Sequence, residues 1–501
     1  MALLIRGGQV LGGTPPALTR ADVLVDGDRI AAVGPSLTAP PGARTIDAAA
    51  HIVLPGLGNA HTHAASHLSR GRAGNWTLED LLTHSAANYG FRTPEDEYLS
   101  AAIGAIEMLK TGCTSAYDLY MAVPAITDEA FEAVARAYTD VGLRVVLAPA
   151  VADVTFYETV PGLADLLPAD LRQTVTAMQP APTKGLLGLT ERAIRRWHGG
   201  ADGRVRIGVA PTIPNQATDE FLDGCAALAR EYGVGIHTHL AESKVQTVES
   251  HRRWGKSIVA RLADHGILGP GFVGAHSIWL TDDDLHMLAD AGAAVAHNPG
   301  SNLRLGCGIA PVREMLDRGV TVGLGTDGSV CADNQNLFEA LRIASVISTV
   351  RFPHQTERWL DADTVWGLAT TGTARVLGQA GDLGAIAPRR KADLVLLRAD
   401  SVFMRPLADP VKALVYAETG AAVDTVLVDG RVVVERGRVT SVDEDAIFAR
   451  AQEAADRQRG QSAEAWALAK RLAPYVAAAC RGAVVTALPI NRFAAAMPPS
   501  A

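Results

Sequence analysis

Short apolar runs alternate with amphipathic stretches through the middle of the chain. The apolar runs predict eight strands: Ile52–Asn59, Thr114–Asp118, Arg144–Ala148, Val205–Ala210, Val234–Leu240, Phe272–His276, Ala293–His297 and Thr321–Thr326. Apolar residues at helical spacing predict helices between them, for example at Glu95–Lys110, Asp128–Asp140, Asp219–Glu231 and Asp283–Ala291. Eight strand-then-helix units in this order predict a (β/α)8 barrel. A doubly wound open sheet is the alternative, but no glycine-rich phosphate loop follows any of these strands.

A different pattern, in which apolar residues alternate around an Asp-Gly step, occurs near both ends of the chain. The sequence Val-Leu-Val-Asp-Gly stands at Val23–Gly27 and again at Val426–Gly430. Such alternation predicts β-hairpins. We therefore predict a small β-sandwich domain built from residues 1–54 and 385–440, around a catalytic barrel of residues 55–384. Residues 441–501 are rich in alanine and are predicted to form a helical extension, with disorder at 494–501.

Composition is that of an ordinary globular protein with a sizeable core, because 48% of the 501 residues are hydrophobic and 20% are charged. The formal net charge of -8 argues against nucleic acid or an anionic membrane as a partner. No segment approaches the roughly 20 apolar residues that span a bilayer, and the apolar start is too short for a signal peptide. The five scattered cysteines indicate a reducing compartment, so we expect a cytoplasmic protein.

Polar side chains collect at the carboxyl ends of the predicted strands, where a barrel of this type carries its catalytic groups. Strands one, five, six and eight end in six such residues: His61, His63, His239, Glu242, His276 and Asp327. The first two are separated by one residue and share a face of the strand, so they can bind one ion. Imidazole nitrogen and carboxylate oxygen suit zinc, and also iron or manganese. A single histidine would more simply be a packing residue, but four strand ends of this kind are hard to explain by packing.

Taken in order, these strand ends resemble the signature of the amidohydrolase superfamily. The matching segments are Pro55–His63, His239–Glu242, Ala275-His276 and Gly325–Gly328. The resemblance extends from the terminal β domain to Gly384, and it is greatest to the aminohydrolases. That branch includes cytosine, guanine, 8-oxoguanine and S-adenosylhomocysteine deaminases and the s-triazine hydrolases. One departure is Gly58, where the family usually has an apolar residue, and we expect this glycine to loosen the strand end.

The resemblance implies four ligands for a single divalent metal ion, zinc in the first place with iron or manganese as alternatives: His61, His63, His239 and Asp327. Members with two metals use a modified lysine at the end of strand four. Residues Gly208–Thr212 contain no lysine, so a mononuclear site is expected. The tripeptide His-Thr-His occurs at residues 61–63 and again at 237–239. In the second copy His237 lies about 7 Å deeper along the strand than the expected ligand His239. We expect His237 to be a buried, hydrogen-bonded neighbour of the site.

The resemblance also assigns the catalytic roles to Glu242, His276 and Asp327. A bound divalent ion lowers the pKa of its water from 15.7 toward about 7, which provides hydroxide at neutral pH. Asp327 is expected to accept the water proton, and Glu242 to pass a proton to the ring nitrogen and then to the leaving amine. His276 is expected to orient the water or the developing oxyanion. The expected reaction releases ammonia from a purine, pyrimidine, pterin or triazine-like ring.

Loops over the barrel mouth are expected to carry the substrate contacts. The candidates are His67, Trp76, Tyr120, Asn302 and Cys331, with His297 as a further pocket residue. Each has a structural alternative, because aromatic and cysteine side chains often simply pack. The segment Asn302–Pro311 resembles the loop after strand seven in 8-oxoguanine deaminases and triazine hydrolases, which favours a free base or a triazine over a nucleoside.

Three other functions remain open at this point. The same chemistry could remove chloride or alkylamine from an s-triazine, or cleave an amide C–N bond. A non-catalytic scaffold with this fold is less favoured, because such relatives lose ligands and every expected ligand is present here. The expected partners are a small heterocyclic substrate and, from the resemblance, further copies of the chain in a homodimer or larger homo-oligomer, with neither nucleic acid nor a membrane.

Overall fold

The computed structural model describes residues 2–493 of the chain. Its strands are β1 (Leu3–Gly12), β2 (Ala17–Asp26), β3 (Arg29–Gly34), β4 (Arg44–Asp47), β5 (His51–Pro55), β6 (Leu57–Thr62), β7 (Cys113–Tyr120), β8 (Arg144–Val151), β9 (Val205–Ile207), β10 (Ala210–Pro211), β11 (Ile236–Leu240), β12 (Phe272–His276), β13 (Ala294–His297), β14 (Thr321–Leu324), β15 (Leu394–Arg398), β16 (Val423–Val428), β17 (Arg431–Glu435) and β18 (Arg438–Val439). The predicted disorder at 494–501 lies outside the described residues.

The helices follow in the same order. They are α1 (Leu78–Thr83), α2 (Ser85–Tyr89), α3 (Pro94–Lys110), α4 (Asp128–Val141), α5 (Leu163–Leu166), α6 (Ala169–Ala177), α7 (Thr183–Trp197), α8 (Gly200–Gly203), α9 (Asp219–Tyr232), α10 (Lys244–Trp254), α11 (Ile258–Asp264), α12 (Asp282–Asp290), α13 (Pro299–Arg304), α14 (Val312–Asp317), α15 (Leu337–Arg351), α16 (Ala362–Gly367), α17 (Thr373–Val376), α18 (Pro410–Tyr416), α19 (Glu444–Gln461) and α20 (Ala463–Val484).

The strands β6 to β14 form the predicted barrel, and all of their ladder pairings are parallel. One half contains β6 to β10 and the other contains β11 to β14. A parallel bridge between Val209 and Ile236 joins the halves on one side. On the other side the backbone N–H of Asp327 donates to the carbonyl of His61 at 2.9 Å. This closure brings the ends of the first and eighth barrel strands together.

Threonine side chains fix where several barrel helices begin. Four of these helices begin after a threonine whose side-chain oxygen accepts a hydrogen bond from a backbone N–H in the first turn. The pairs are Thr93 with α3, Thr127 with α4, Thr218 with α9 and Thr281 with α12. A capping threonine satisfies one of the N–H groups that a helix start leaves unpaired. These local signals explain why the predicted helix starts agree with the structure to within one residue.

Strands from the two chain ends combine into one nine-stranded sheet, in the order β18-β17-β16-β15-β5-β1-β2-β3 with β4 beside β1. Both predicted hairpins are present, as β2–β3 and β16–β17. The strands form one continuous sheet because β1 changes its parallel neighbour along its length. Leu3–Arg6 pair with β4, whereas Gln9 and Val10 pair with β5. The bulge between them includes Gly7, whose φ of +71° favours glycine.

Two predicted strands differ from those observed. The run predicted as Ile52–Asn59 is divided at Gly56 into β5, which belongs to the end sheet, and β6, which belongs to the barrel. A side chain at Gly56 would lie within 2.1 Å of the Thr114 hydroxyl, so the chain needs glycine there. The fourth barrel strand is divided into β9 and β10 on either side of Gly208, where a side chain would meet the Tyr117 hydroxyl at 2.2 Å. Gly58 does not leave a gap, because Thr373 occupies the space beside it.

The C-terminal extension consists of the long helices α19 and α20. α19 packs against α3, and α20 packs against α1, α2 and α10. The segment after α20 returns over the loops that follow barrel strands six and seven. There the carbonyl of Arg492 accepts a hydrogen bond from Ile309 N at 2.8 Å, and Phe493 packs edge-on against Trp279. The extension therefore borders the mouth of the barrel on several sides. Among the described residues, no helix combines the length and apolar character needed to cross a bilayer.

Candidate metal centre

Three of the predicted histidine ligands converge inside the barrel mouth. The rings of His61 and His63 lie 4.7 Å apart, and the ring of His239 from β11 lies 5.0 and 5.2 Å from them. All three are buried. The Nε2 atoms of His63 and His239 are only 3.2 Å apart. Nitrogen atoms from opposite sides of the barrel therefore point at one position.

In His63 and His239, hydrogen bonds to backbone carbonyls determine which ring nitrogen is free to bind a metal. Nδ1 of His63 lies 2.7 Å from the carbonyl of Leu119, and Nδ1 of His239 lies 2.6 Å from the carbonyl of Thr212. A carbonyl only accepts, so each Nδ1 carries the proton and donates it. Each Nε2 then presents its lone pair to the barrel axis, as a metal ligand requires.

Asp327 completes the donor set from the end of the eighth strand. Its Oδ1 atom lies 3.2 Å from Nε2 of His63 and 3.7 Å from Nε2 of His61. Its backbone adopts φ +66°, which is unusual for a residue with a side chain. The neighbouring Gly325 allows this approach, because a side chain there would meet the backbone nitrogen of His61 at 2.9 Å.

These residues fit a divalent metal ion. Ligand atoms of His61, His63 and His239, and those of His61, His276 and Asp327, each lie within 4.8 Å of one another. Both ring nitrogens of His61 are buried and have no hydrogen-bond partner in the described part of the chain. A buried polar atom without a partner costs free energy unless something else binds it. Imidazole nitrogens together with a carboxylate are donors that zinc accepts.

The charge states of the site also suit a cation. Burial and the neighbouring His63 hold the pKa of His61 well below its usual range, and burial lowers the pKa of His239 to about 3. Burial alone would raise the pKa of Asp327, but the surrounding imidazoles hold it well below its usual range. Burial and the charges of Asp327 and Glu79 raise the pKa of Glu242 well above its usual range. Burial opposes protonation of His63, but the hydrogen bond and charge of Asp327 outweigh it and raise the pKa of that ring. The site thus combines histidines whose pKa is lowered at His61 and His239, a carboxylate, and a carboxylic acid that can donate a proton.

Glu242 and His276 lie directly beside the converging donors. Nε2 of His276 is 3.7 Å from Oε1 of Glu242 and 3.7 Å from Oδ2 of Asp327. Nδ1 of His276 bonds to Oδ1 of Asn302 at 2.8 Å. His276 has φ +66°, the same unusual backbone conformation as Asp327. Strained backbone of this kind clusters at functional sites and turns both side chains toward one space.

A narrow cavity of about 50 Å³ opens above these groups. Its floor is formed by His63, His239, Glu242 and Asp327. Its walls come from helices α1 and α2 and from the loops after several strands: Leu78, Leu81, Leu82, Ser85, Tyr89, Met121, Thr212, Ile213, Leu305 and Cys331. The walls are mostly apolar, and no lysine or arginine is among these lining residues. Ligand sites of drug size are typically several hundred Å³, so the walls must move apart for such a ligand.

Of the five predicted substrate contacts, Cys331 lines the cavity and the others do not. The ring of His67 points toward α3, where Gly104 leaves room for it, and its Nδ1 bonds to Ser329. Trp76 stacks on His84 with ring centroids 4.3 Å apart, at the flank of α1. Loop residues were predicted from their position along the chain, and spacing alone does not show which way a loop side chain turns.

The remaining two predicted contacts, and His297, are buried but are not among the residues that line the cavity. Tyr120 is fully buried and packs edge-on against Phe131. Asn302 contacts His276 instead of the cavity. His297 is buried but does not line the cavity. The observed contact of Asn302 makes it a residue that positions His276.

His237 is buried as expected, but the expected hydrogen bonds are not observed. Neither ring nitrogen has a hydrogen-bond partner within the described residues. The ring instead packs edge-on against Tyr117 at 4.4 Å and lies 5.0 Å from the ring of His61. It therefore supports the site through ring packing.

Sequence reasoning missed a buried amide that ties the first and eighth strands together. Gln335, which is fully buried, donates from Nε2 to the carbonyl of Asp327 at 2.7 Å. Its Oε1 accepts hydrogen bonds from Thr62 and Thr326, both at 2.7 Å. Asn59 also bonds to Thr326. Asp327 and Thr326 lie eight and nine residues away and Thr62 lies 273 residues away, spacings that no helical or strand pattern relates, so no local pattern identifies Gln335.

Comparison with known proteins agrees with this geometry. The model of the amidohydrolase family matches residues 52–433. The 5'-deoxyadenosine deaminase of Methanothermobacter thermautotrophicus is 34% identical over 462 residues, which cover 92% of this chain and 99% of that protein. The 5-methylthioadenosine/S-adenosylhomocysteine deaminase of Symbiobacterium thermophilum is 36% identical over 461 residues, covering 91% of this chain and 98% of that protein.

Solved structures give the same assignment. The atrazine chlorohydrolase of Arthrobacter aurescens in complex with zinc is 30% identical, with a TM-score of 0.82, covering 90% of this chain and all of that one. An adenosine deaminase of Xanthomonas campestris with bound zinc is 25% identical, with a TM-score of 0.78, covering 91% of this chain and 98% of that one. The family match spans more than half of the chain, and the first deaminase is aligned over nearly its whole length. The chain therefore belongs to the amidohydrolase family.

Proposed function

We propose that this protein is a zinc-dependent hydrolytic deaminase that releases ammonia from an amino-substituted N-heterocycle. The observation that carries the proposal is the position of His276, whose Nε2 lies 3.7 Å from a carboxyl oxygen of both Glu242 and Asp327. Two carboxyl groups and an imidazole thus surround the space beside the converging histidines. Hydrolysis of a C–N bond needs such groups, because protons must leave water and reach the leaving amine.

In this proposal His61, His63, His239 and Asp327 hold one zinc ion. A divalent ion at such donors activates water for attack at neutral pH. Asp327 accepts the proton that water loses, and Glu242, whose pKa is raised, protonates the ring nitrogen. As the C=O bond forms, Glu242 takes the remaining proton from the attacking oxygen and passes it to the departing amine, so the C–N bond breaks with release of ammonia. Asp327 then returns its proton to Glu242. Nε2 of His276, which carries no proton when Nδ1 donates to Asn302, accepts a hydrogen bond from the attacking water and orients it. The products are ammonia and a heterocycle in which a carbonyl group replaces the amino group.

We further propose that the substrate is an adenosine nucleoside altered at its 5' carbon. The names of the two similar deaminases support this choice, and they weigh against the free base or triazine that the loop after strand seven favoured. The mostly apolar cavity walls without lysine or arginine support an uncharged 5' substituent. A charged substituent would lose its hydration on entering the pocket and would find no oppositely charged side chain there to compensate.

The alternative with specific support is hydrolysis of a triazine, because the similar atrazine chlorohydrolase has the same fold. Amide cleavage is a third possibility with the same site chemistry, and a non-catalytic scaffold is disfavoured by the complete donor set. A panel of aminopurines, adenosine nucleosides, chloro- and amino-triazines and amides, assayed for ammonia and chloride, separates these functions. Ammonia from the nucleosides supports the proposal, whereas chloride release alone or amide cleavage alone contradicts it.

Assembly, location and domain limits remain proposals. We expect a homodimer or larger assembly, which light scattering on the purified chain tests directly.

The five cysteines are all free and buried, which supports a reducing, cytoplasmic environment. Limited proteolysis tests the proposed domain boundaries, which divide the chain into residues 1–54, 55–384, 385–440 and 441–501. Cleavage near residue 441 that leaves the barrel intact would mark the extension as a separate unit.

A further inference from the structure

The two helices that form one wall of the cavity are too short to be stable alone. α1 has six residues and α2 has five, and isolated helices of this length do not persist in water. These two helices, here called the wall helices, supply Leu78, Leu81, Leu82, Ser85 and Tyr89 to the cavity. Their position therefore determines the width of the cavity, and something outside them must hold them in place.

An aromatic cluster holds both ends of α1, and its outer member comes from the C-terminal extension. Trp76 stands two residues before α1 and stacks at 4.3 Å on His84, which directly follows α1. Trp466, in the first turn of α20, lies 5.7 Å from the ring of Trp76 and 5.1 Å from the ring of His84. Aromatic contacts of this kind add to the stabilisation that comes from the apolar area that they bury.

Polar contacts reinforce this cluster. The guanidinium of Arg72 lies 5.1 Å above the ring of Trp466, and its Nη2 donates to the hydroxyl of Ser462 at 2.9 Å. Ser462 joins α19 to α20 and is fully buried. The loop after the first strand is thereby attached to the point where the extension turns.

The second wall helix is held by a side chain of α19. Gln458 is buried, and its Nε2 donates to the carbonyl of Asn88 at 2.8 Å and to that of Gly90 at 3.1 Å. These carbonyls stand at the end of α2, where a helix leaves its last carbonyls without partners. The side chain of Gln458 thus satisfies the end of α2 in place of a continued helix.

We propose that the C-terminal extension positions the substrate pocket, with Trp466 and Gln458 as the positioning residues that hold the wall helices over the metal centre. Neither residue lines the cavity or contacts the candidate ligands. Both act through α1 and α2. The extension therefore sets how far the cavity opens, independently of which heterocycle the enzyme converts.

Hydrogen exchange on the full chain without substrate tests this role. Trp466→Ala is expected to speed amide exchange in residues 77–90 by about 10-fold while exchange in the barrel strands stays unchanged, because only the local opening equilibrium shifts. Trp466→Phe, which keeps a ring in the cluster, is expected to restore most of the protection. The matched control is Phe448→Ala, an aromatic truncation on the same extension at a residue that is 40% exposed. It is expected to leave residues 77–90 unchanged.

Unchanged exchange at 77–90 in Trp466→Ala, or an equal rise throughout the chain, would overturn the proposal. If Trp466→Ala does not fold, Gln458→Leu provides the same test, because it keeps the volume and removes both bonds to α2. Where turnover is measurable, Trp466→Ala is expected to raise KM by about 10-fold while kcat changes by less than about 3-fold. The exchange measurement needs no turnover, so failure of the proposed deaminase activity and failure of this role are distinguishable.

Discussion

The side-chain oxygen of Asn302 lies 2.8 Å from Nδ1 of His276 and fixes the orientation of that imidazole. Since an amide oxygen only accepts, Nδ1 carries the proton, and Nε2 faces the carboxyl groups of Glu242 and Asp327. In the proposed mechanism Asn302 would therefore determine which ring nitrogen His276 presents to the substrate, although Asn302 does not line the cavity.

Replacing Asn302 with leucine is expected to lower kcat by about 10- to 100-fold, because a catalytic group misplaced by about 1 Å can cost that much. KM and zinc content should change little, since the cavity walls and the ligands stay in place. Steady-state kinetics and metal analysis on one preparation measure the effect. Asn302→Asp keeps an acceptor and should recover part of the loss. An Asn302→Leu protein with normal kcat would show that His276 is held by other contacts.

Substitutions at Glu242 and His61 are expected to distinguish the loss of proton transfer from the loss of metal binding. Glu242→Gln should retain zinc and lose about 10²- to 10⁴-fold in kcat, the usual contribution of general acid–base catalysis. His61→Ala should lose both zinc and activity, because His61 is one of the converging donors. Metal content and ammonia release, measured side by side, distinguish the two. Normal turnover by Glu242→Gln would contradict the role assigned to this residue.

Metal removal is expected to destabilise the protein. Binding of zinc to the folded state alone contributes about 4 kcal/mol when zinc stands 1,000-fold above its Kd. Because the unfolding entropy is about 2.1 cal/mol/K per residue in a chain of 501 residues, chelation should lower Tm by about 4 °C. Zinc should restore the transition, and magnesium, which prefers oxygen ligands, should not. Thermal unfolding with and without the chelator measures the change in Tm. In the comparison variant Asp327→Asn, which lacks one of the proposed ligands, the chelator should change Tm only slightly. An unchanged Tm after verified metal loss would argue against these residues as the ligands.

A buried glutamate outside the site gives a pH-dependent prediction. Burial raises the pKa of Glu97 to about 7, with Arg92 opposing the shift from 3.6 Å. Since the folded pKa lies above the unfolded value, the stability that this group contributes is present below about pH 4.5 and is lost as pH rises through 7. The free energy of unfolding should fall by up to about 3 kcal/mol from this group between pH 5 and pH 8.

Glu97→Gln removes this titration and should flatten that part of the pH profile. Urea unfolding of both proteins at pH 5, 6, 7 and 8 measures the difference in slope. Glu95, which is exposed on the same helix, provides the control substitution Glu95→Gln. Parallel profiles for the wild type and Glu97→Gln would show that Glu97 stays ionised in the folded protein.

The uncharged cavity lining predicts selectivity among nucleosides. With no lysine or arginine among the lining residues, kcat/KM for S-adenosylhomocysteine, which carries an amino acid group, should be at least about 10-fold below that for 5'-deoxyadenosine. Initial rates of ammonia release at limiting substrate measure this ratio. Equal values for the two would mean that a cation from outside the lining reaches the charged group.

The sequence predicted the parts of this molecule that depend on local periodicity. Alternation along the first barrel strand placed His61 and His63 on one face, and apolar residues at helical spacing located the helices. The barrel and the convergence of the strand ends followed from the order of the elements. These features need only a residue and its neighbours within a few positions.

Features that depend on packing between distant residues could not be predicted in this way. The bond between Asn302 and His276, the bonds of Gln335 to Asp327 and Thr62, and the contact of Trp466 with α1 join segments that spacing does not relate. Loop residues such as His67 turn toward whichever neighbour leaves room, in this case Gly104. The glycine at the break in the fourth barrel strand, Gly208, makes room for the Tyr117 hydroxyl from β7, which lies two strands away in the sheet.

The most direct test of the central claim is ammonia release from 5'-deoxyadenosine by protein whose zinc content is determined on the same sample. We expect about one zinc per chain, bound by the donors around His61, and stoichiometric release of ammonia that is lost in Glu242→Gln while the zinc remains. Zinc-loaded wild-type protein that releases no ammonia from any adenosine nucleoside or other aminoheterocycle would contradict it.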